Sequence, residues 1–229
     1  MKLTESHIQR LYKFTREHFV YHYDVQTELV DHLANDIEQI WEEQPKLSFE
    51  KARDISFKKF GVFGFMDVVE KKQKAMNKHY WKILLRFAKE WFTFPKIVTT
   101  AVIFMLFFTV FQSKIAEEIL LTSLFLMIAI DLYYVSKGTR KKKQKKEKTF
   151  LLEAMIGETR NGFSAIMFVN LFNTINLIDI NLYSLSIYWL LLIAFLVTLI
   201  CIVFYITAFV IPSKAEELLI EKYPGYKMI

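Results

Sequence analysis

The sequence is poor in residues that cross-link or interrupt a fold: one Cys, four Pro and six Gly in 229 residues. A single cysteine excludes a disulfide framework within the chain and a zinc site built from several thiolates. So few Gly and Pro exclude collagen, low-complexity linkers and turn-rich all-β folds. The sequence also lacks a Walker-A loop, a GxGxxG fingerprint and an HExxH motif, so the common nucleotide and zinc-protease signatures are absent.

Apolar side chains are in excess, at 53% of the residues, and yet 24% of the residues are charged. A disordered chain lacks such an apolar fraction, and a soluble domain of this size rarely has it. Charged and apolar residues are interspersed up to residue 94, whereas long apolar runs with few charges dominate after it. No alternating pattern indicates a strand. The predicted fold class is therefore all-α, a small cytoplasmic helical module followed by a polytopic membrane domain with four transmembrane helices.

Four apolar runs are the candidate transmembrane helices, since a helix needs about 20 residues to cross about 30 Å of hydrocarbon. They cover residues 95–111, 115–135, 162–178 and 184–211. The third run is the weakest, because it is short and contains several amide side chains. The predicted organisation is a module at 1–70, a basic amphipathic helix at 71–94 and a transmembrane domain at 95–229.

Basic residues predict how these helices are oriented. Residues 71–89 carry seven basic residues and no acid, and residues 137–148 carry eight basic residues and one acid. The two opposite loops, 113–118 and 179–183, hold one Lys between them. Short basic loops stay in the cytoplasm, so both termini are predicted to be cytoplasmic. The N-terminal residues resemble no signal peptide, and the predicted location is the bacterial cytoplasmic (inner) membrane, multi-pass.

The module is predicted to contain short amphipathic helices with recognisable caps. Thr4 and Ser48 are typical N-cap residues, Gly61 suits a helix C-terminus, and Asp67 could cap a fourth helix. The predicted inward residues recur at three- and four-residue spacing. They are Ile8, Leu11, Thr15 and Phe19, then Val25, Leu29, Leu33, Ile37 and Ile40/Trp41, then Phe49, Ala52, Ile55 and Phe60.

A run of residues in this module resembles the helical domain called HAAS or permease-prefix. The run is Glu28-Leu29-x-x-His32-Leu33, then Ile37, Ser48-x-x-x-Ala52 and Phe60-Gly61. In that family the domain precedes membrane helices in many bacterial proteins, some encoded beside PadR-type transcription regulators and others permease subunits. The resemblance covers about residues 5–70, and it implies a cytosolic or membrane protein partner, with a PadR-like regulator as one candidate.

Polar residues on the second helix are the candidate partner-binding residues: Glu28, Asp31, His32 and Asp36. With His18 and His22 they could instead form a His/carboxylate metal site. Because a helix break is predicted around Tyr23, His18 and His22 are not expected to share one helix face. We therefore expect no metal site and no cofactor. Packing between helices is the simpler role for His32.

Residues 71–94 are predicted to lie in the membrane interface, with aromatic anchors and basic side chains that reach anionic head groups. The alternative is a solvated extension of the first span. The basic run at 137–148 is predicted to face the same head groups, and it lacks the interleaved aromatics of a nucleic-acid site. The predicted membrane-interface residues are Lys78, Trp81, Lys82, Arg86, Trp91, Lys141, Lys142 and Lys143.

Polar residues inside the predicted spans form the last candidate set: Asp131, Asn170, Asn173 and Thr174. Asp131 either reaches the head groups, pairs with Arg160 or relays protons. The amide side chains either bond between helices or line a polar conduit. Because no nucleophile–base pair can be assembled, we expect no enzyme. The favoured function is a membrane adaptor or regulator, the alternative is a small permease or transporter subunit, and a homo-oligomer is left open.

Overall fold

The computed structural model describes residues 2–144, 148–159, 162, 166, 169 and 182–226. These residues contain helices and no strand, which confirms the predicted all-α class. The chain divides into two compact units, Met1–His79 with Glu147–Ala154, and Tyr80–Lys146 with Met155–Ile229. The helices are α1 (Glu5–Glu17), α2 (Tyr23–Glu43), α3 (Phe49–Lys58), α4 (Met66–Lys89), α5 (Lys96–Phe111), α6 (Ala116–Gln144), α7 (residues 151–159), α8 (Ile187–Tyr205), α9 (Ile211–Ser213) and α10 (Ala215–Lys222).

Side-chain caps begin two helices of the N-terminal unit. The Thr4 hydroxyl accepts a hydrogen bond from the His7 backbone N–H at 3.4 Å. The Ser48 hydroxyl accepts one from the Lys51 N–H at the same distance. Each bond satisfies a backbone donor that the first turn of a helix leaves open. Both predicted caps are confirmed, whereas Asp67 lies within the first turn of α4 and does not cap it.

The apolar stripe of α2 forms the centre of the N-terminal core. Its residues follow a three- and four-residue spacing, so they share one face of the helix, which packs against α1 and α3. All of the predicted positions are buried: Val25, Leu29, Leu33, Ile37, Ile40 and Trp41. The Trp41 indole also donates a hydrogen bond to the Leu47 carbonyl at 2.9 Å, which fixes the chain between α2 and α3.

Two residues predicted to point inward are exposed. Phe19 is 64% exposed because α1 ends at Glu17, and Phe19 lies beyond it with φ of +65°. Ile55 is 39% exposed, and Ser56 takes the buried position on α3. The buried row of α3 therefore continues from Ala52 to a hydroxyl rather than to an aliphatic side chain, which the apolar pattern alone does not predict.

Residues after α6 return to the N-terminal unit and pack at the start of α2. The Thr149 carbonyl accepts a hydrogen bond from the Tyr23 N–H at 2.9 Å. The Asp24 carboxylate accepts one from the Leu151 N–H, also at 2.9 Å. Because Leu151 is the first residue of α7, Asp24 supplies the N-terminal cap of a helix that lies 127 residues further along the chain. We call residues 148–152 the clasp.

The second unit packs α5 against α8 around Phe111, Leu190 and Ala194. At the other end of α8 the helix widens into a π-helical turn at Ile206–Val210 and continues into α9. Among the described residues one helix, Ile187–Ser213, is long and apolar enough to cross a membrane, with a mean hydropathy of 2.9 in its best window. The pair Met66–Phe92 and Lys96–Phe111 passes the same test together but is bent by 83°.

Two predicted boundaries differ from the helices. α4 runs without interruption across the boundary predicted at residue 70/71, because Lys, Gln, Ala and Met all favour helix there. α6 does not end with the apolar run but continues through Gln144. Most of the basic stretch 137–148 is therefore helix rather than loop. The run predicted as the third span, 162–178, lies outside the described residues except for 162, 166 and 169.

Candidate functional site

An open groove lies between α2 and α3 in the N-terminal unit, with a volume of about 390 Å³. Volumes of this size are typical of ligand and peptide clefts. Successive turns of α2 contribute polar side chains to the groove lining, and the end of α3 contributes the residues on the other side. The lining residues are His32, Asn35, Asp36, Gln39, Ser56, Lys59 and Phe60.

One ion pair crosses the groove. The Lys59 ammonium donates to the Asp36 carboxylate at 2.5 Å. Burial acts to raise the pKa of Asp36, but the hydrogen bond from Lys59, the nearby Ser56 hydroxyl and the charge of His32 together lower that pKa. Asp36 therefore stays ionised near neutral pH, and the ammonium that pairs with its carboxylate sits on a flexible lysine stem.

Ser56 contributes a buried hydroxyl to the same groove. The residue is 1% exposed, and its Oγ has no hydrogen-bond partner of acceptable geometry among the described residues. The hydroxyl is close enough to Asp36 to help lower the carboxyl pKa, although it does not reach hydrogen-bond geometry. A buried hydroxyl without a good partner is unfavourable, so Ser56 is a polar side chain that the folded unit satisfies poorly.

The structure brings together two of the four predicted partner-binding residues. His32 and Asp36 line the groove. Asp31 is exposed on α2 outside the groove lining. Glu28 forms an exposed ion pair with Lys72 of α4 at 2.5 Å, and it does not line the groove.

Sequence reasoning missed four residues of the groove lining, namely Asn35, Gln39, Ser56 and Lys59. Asn35 and Gln39 follow His32 on one face of α2, and this spacing was a usable signal because residues three and four apart are neighbours. Ser56 and Lys59 had no such signal, since only the packing of α3 on α2 brings them to the same place.

The predicted membrane-interface residues lie mostly on the exposed side of α4. Lys78, Lys82 and Arg86 are exposed beside Trp81, whose side chain is 57% exposed. The predicted apolar side is divided, because Tyr80 and Leu84 are buried in the second unit while Trp81 and Leu85 are not. Trp91 is partly buried against Tyr205. Lys141, Lys142 and Lys143 lie on α6, and their side chains fall outside what the structure describes.

Among the predicted intramembrane polar residues, Asp131 is the one that the structure describes. It is 2% exposed on α6, so it packs inside the second unit and does not reach outward. Asn170, Asn173 and Thr174 lie outside the described residues. Two buried threonines of α8 and the π turn were not predicted: Thr198 and Thr207 donate to the carbonyls of Ala194 and Val203.

No three His, Cys, Asp or Glu side chains lie close enough to hold a metal ion in the part of the chain that the structure describes. His18, which entered the alternative metal site, instead packs edge-to-face with its ring 4.5 Å from that of Phe57, and its Nδ1 lies 2.8 Å from the Phe14 carbonyl oxygen. No protein-family model, no curated protein and no solved structure matches the chain. The resemblance to the HAAS domain therefore stays a prediction, carried by the residues of α2 and α3 quoted above.

Proposed function

We propose that the protein is a non-catalytic bacterial membrane adaptor or regulator, whose N-terminal unit binds a partner protein in the groove between α2 and α3. The observation that carries this proposal is the groove itself, where an ion pair between Asp36 and Lys59 borders a buried Ser56 hydroxyl. The favoured partner is a PadR-like transcription regulator, because the resemblance of residues 5–70 to the HAAS domain implies such a partner.

The chemistry of the groove suits a peptide segment of a protein. Asn35 and Gln39 each offer both donors and an acceptor, which match the N–H and C=O groups of a main chain. Phe60 offers an apolar wall for a side chain, and Asp36 offers a carboxylate to a basic one. An incoming Arg or Lys would compete with Lys59 for Asp36, so binding exchanges one ion pair for another.

Several features support a membrane location for the second unit. The helix Ile187–Ser213 has the length and hydropathy of a span. α4 meets α5 at a bend of 83°, so α4 would lie in the plane of the interface if α5 crosses the bilayer. Trp81 and Leu85 are exposed beside basic residues on α4, which is the pattern of an interfacial helix.

An ion pair in the second unit supports an even number of crossings. The Arg86 guanidinium of α4 donates to both carboxylate oxygens of Glu221 on α10, at 3.2 Å. One helix precedes the apolar segments and the other follows them, so if those segments cross a membrane, this contact favours a chain that returns to the side from which it left. With α5, α6 and α8 as spans, the run at 162–178 supplies the fourth. We therefore propose four spans with both termini in the cytoplasm.

Site-specific photo-crosslinking in living cells tests the partner. A crosslinking residue is placed at Gln39 in the groove, and the matched control is placed at Gln44, an exposed residue at the end of the same helix. We expect crosslinks from position 39 to a cytosolic regulator and none to it from position 44. Asp36→Ala should abolish these crosslinks while slow hydrogen exchange in α1–α3 shows that the unit remains folded.

Either of two results would contradict the adaptor proposal. The first is that positions 39 and 44 crosslink to the same proteins in the same proportions. The second is that Asp36→Ala leaves the crosslinks intact, because the carboxylate then has no part in recognition.

Transport is the second candidate function, and the burial of Asp131 favours it. An acid inside a membrane domain is costly and is usually part of a pathway. Tyr134, one turn further along α6, packs at 5.0 Å against Phe209 of the π turn. π-helical turns occur often at functional sites, so the described residues place a buried carboxylate on the helix that packs against such a turn.

Proton flux in proteoliposomes tests this second candidate with a pH-sensitive dye inside the vesicles. We expect Asp131→Asn to abolish a flux driven by a membrane potential, because the amide cannot exchange a proton. Glu118→Gln, at an exposed acid in the first turn of the same helix, should leave it intact. The absence of any flux in the unaltered protein would remove this candidate.

A further inference from the structure

Two loops of the N-terminal unit expose large apolar side chains where a soluble protein would bury them. In the loop between α3 and α4, Val62 is 98% exposed and Phe63 is 70% exposed. Single exposed apolar residues are ordinary, but a contiguous group marks an interaction site. We call the group the apolar tip; its residues are Phe19, Tyr21, Val62, Phe63 and Met66.

The loops that carry these residues lie side by side at one end of the unit. The last turns of α1 and α3 lie together, since Phe14 packs at 5.2 Å from Phe57. His18, directly before Phe19, packs at 4.5 Å from Phe57 and at 5.9 Å from Phe65. The apolar tip is therefore one surface, assembled from segments more than forty residues apart.

The backbone of the tip is held in conformations that side chains rarely adopt. Phe19 has φ of +65°, in the left-handed region that a bulky residue enters only at a cost. Such strain at one residue persists where the surrounding structure enforces it, and it clusters at functional sites. Here the strained turn leaves the Phe19 ring exposed to solvent, so the strain is not offset by burial of that ring in the core.

The shape of the tip favours a bilayer over a protein as its occupant. A side chain that is 98% exposed, as Val62 is, stands clear of its neighbours, so the surface is convex. A convex apolar point enters the deformable head-group region of a membrane without a complementary cavity, whereas a protein partner would need a matching pocket. The chain also carries its own membrane-capable helix, which keeps a bilayer at high effective concentration.

The clasp connects the tip to the basic stretch that is predicted to face lipid. Lys148, the last basic residue of that stretch, lies over the Tyr23 ring at 4.3 Å. Tyr23 is two residues from Tyr21 of the tip. Lys148 therefore lies near the end of the N-terminal unit that exposes these aromatic side chains.

We propose that the apolar tip inserts into the head-group region of a bilayer, and so gives the N-terminal unit a membrane attachment of its own. The inference rests on the proposed membrane location. Tyr21 supplies an amphipathic ring suited to the interface, and Phe63 and Val62 supply the inserted apolar points.

Depth-dependent quenching tests the insertion in the full chain. Cys201→Ala removes the single cysteine of the sequence, and Phe63→Cys or Val62→Cys introduces a label site for an environment-sensitive dye. Lys46→Cys, in the loop at the opposite end of the unit, is the matched control. The labelled protein is placed in nanodiscs of phosphatidylcholine and phosphatidylglycerol, with bromine on the acyl chains or iodide in the water.

We expect bromolipids to quench a label at residue 62 or 63 several-fold more strongly than a label at residue 46, and iodide to show the opposite order. Equal iodide quenching at both ends would overturn the insertion. Shielding from iodide without quenching by bromolipids would also overturn it, because a protein surface would then cover the tip. Failure of the chain to enter nanodiscs would instead contradict the proposed membrane location.

Discussion

At the scale of single residues, Gly64 holds the turn between α3 and α4 in a conformation that suits few other residues. Its φ is +54°, and a Cβ placed there would lie 2.9 Å from Cζ of Phe57. The Phe57 ring cannot retreat easily, since Phe14, His18 and Phe65 pack around it. The glycine is therefore required both for backbone conformation and for space.

Gly64→Ala should destabilise the N-terminal unit by about 2–5 kcal/mol, from left-handed strain together with overpacking. Gly61→Ala is the matched control, because Gly61 also has positive φ but its Cβ would meet open space. The free energy of unfolding of Gly61→Ala should fall by only about 1–2 kcal/mol. Urea titration of the full chain, followed by hydrogen exchange in α1–α3, measures both values; equal losses would show that the contact with Phe57 is irrelevant.

Asp36 makes the stability of the N-terminal unit depend on pH. Its pKa is lowered in the folded state, so the unfolded chain takes up a proton first as the pH falls. The contribution of Asp36 is therefore complete above about pH 4 and is lost as the pH falls through the folded pKa. If the free energy of unfolding falls with acid in the same way in Asp36→Asn and in the unaltered protein, this assignment is wrong.

Lys59→Met should raise the pKa of Asp36, because it removes the hydrogen bond that does most to lower it. Lys58→Met is the control, since Lys58 is exposed and is not among the groups that shift this carboxyl. Carbon-13 titration of the carboxyl group measures the pKa in both variants. The same titration curve in Lys59→Met and in the unaltered protein would exclude the ion pair in solution.

At the scale of elements, the start of α7 depends on a side chain of α2. The Asp24 carboxylate accepts from the Leu151 N–H, and its negative charge lies where the dipole of α7 is positive. Asp24→Ala should cost about 1–2 kcal/mol locally and speed hydrogen exchange at residues 148–159. Asp24→Asn keeps an acceptor and should show a smaller effect, and Asp31→Ala, an exposed acid on the same helix, should show none.

The helices of the N-terminal unit could be predicted because their signals are local. Thr4 and Ser48 lie directly before the turns that they cap, and the stripe from Val25 to Ile37 repeats within one helix. Asp24 gave no such signal, because its partner is 127 residues away. The burial of Ser56 could not be predicted either, because it depends on the packing of α3 on α2 and not on the apolar pattern of the sequence.

The candidate site was predictable only in part for the same reason. His32 and Asp36 were chosen from the polar face of one helix, and they do line the groove. Lys59 comes from after α3, and no sequence pattern pairs it with Asp36. The continuation of α6 to Gln144 was missed because a change from apolar to basic residues was taken as the end of a helix, although Lys and Arg favour helix well.

At the scale of the whole molecule, the proposed four spans predict which residues meet the outside. Single cysteines in a Cys201→Ser background are introduced as Ser113→Cys, Asp179→Cys and Lys143→Cys. A membrane-impermeant reagent added to intact cells should label the first two, and it should label position 143 only after permeabilisation. Labelling of position 143 from outside would reverse the topology, and labelling of only one of the other two would change the number of spans.

The length of α6 bears on where its basic side chains lie. Its 29 residues make a rod of about 43 Å, longer than the roughly 30 Å of hydrocarbon. If α6 crosses a bilayer, about 13 Å of it, or roughly nine residues, must lie beyond the hydrocarbon. The last residues of the helix, 137–144, carry five of its basic side chains. They match this excess in length, so the positive charge would be carried on a helical extension at the membrane surface.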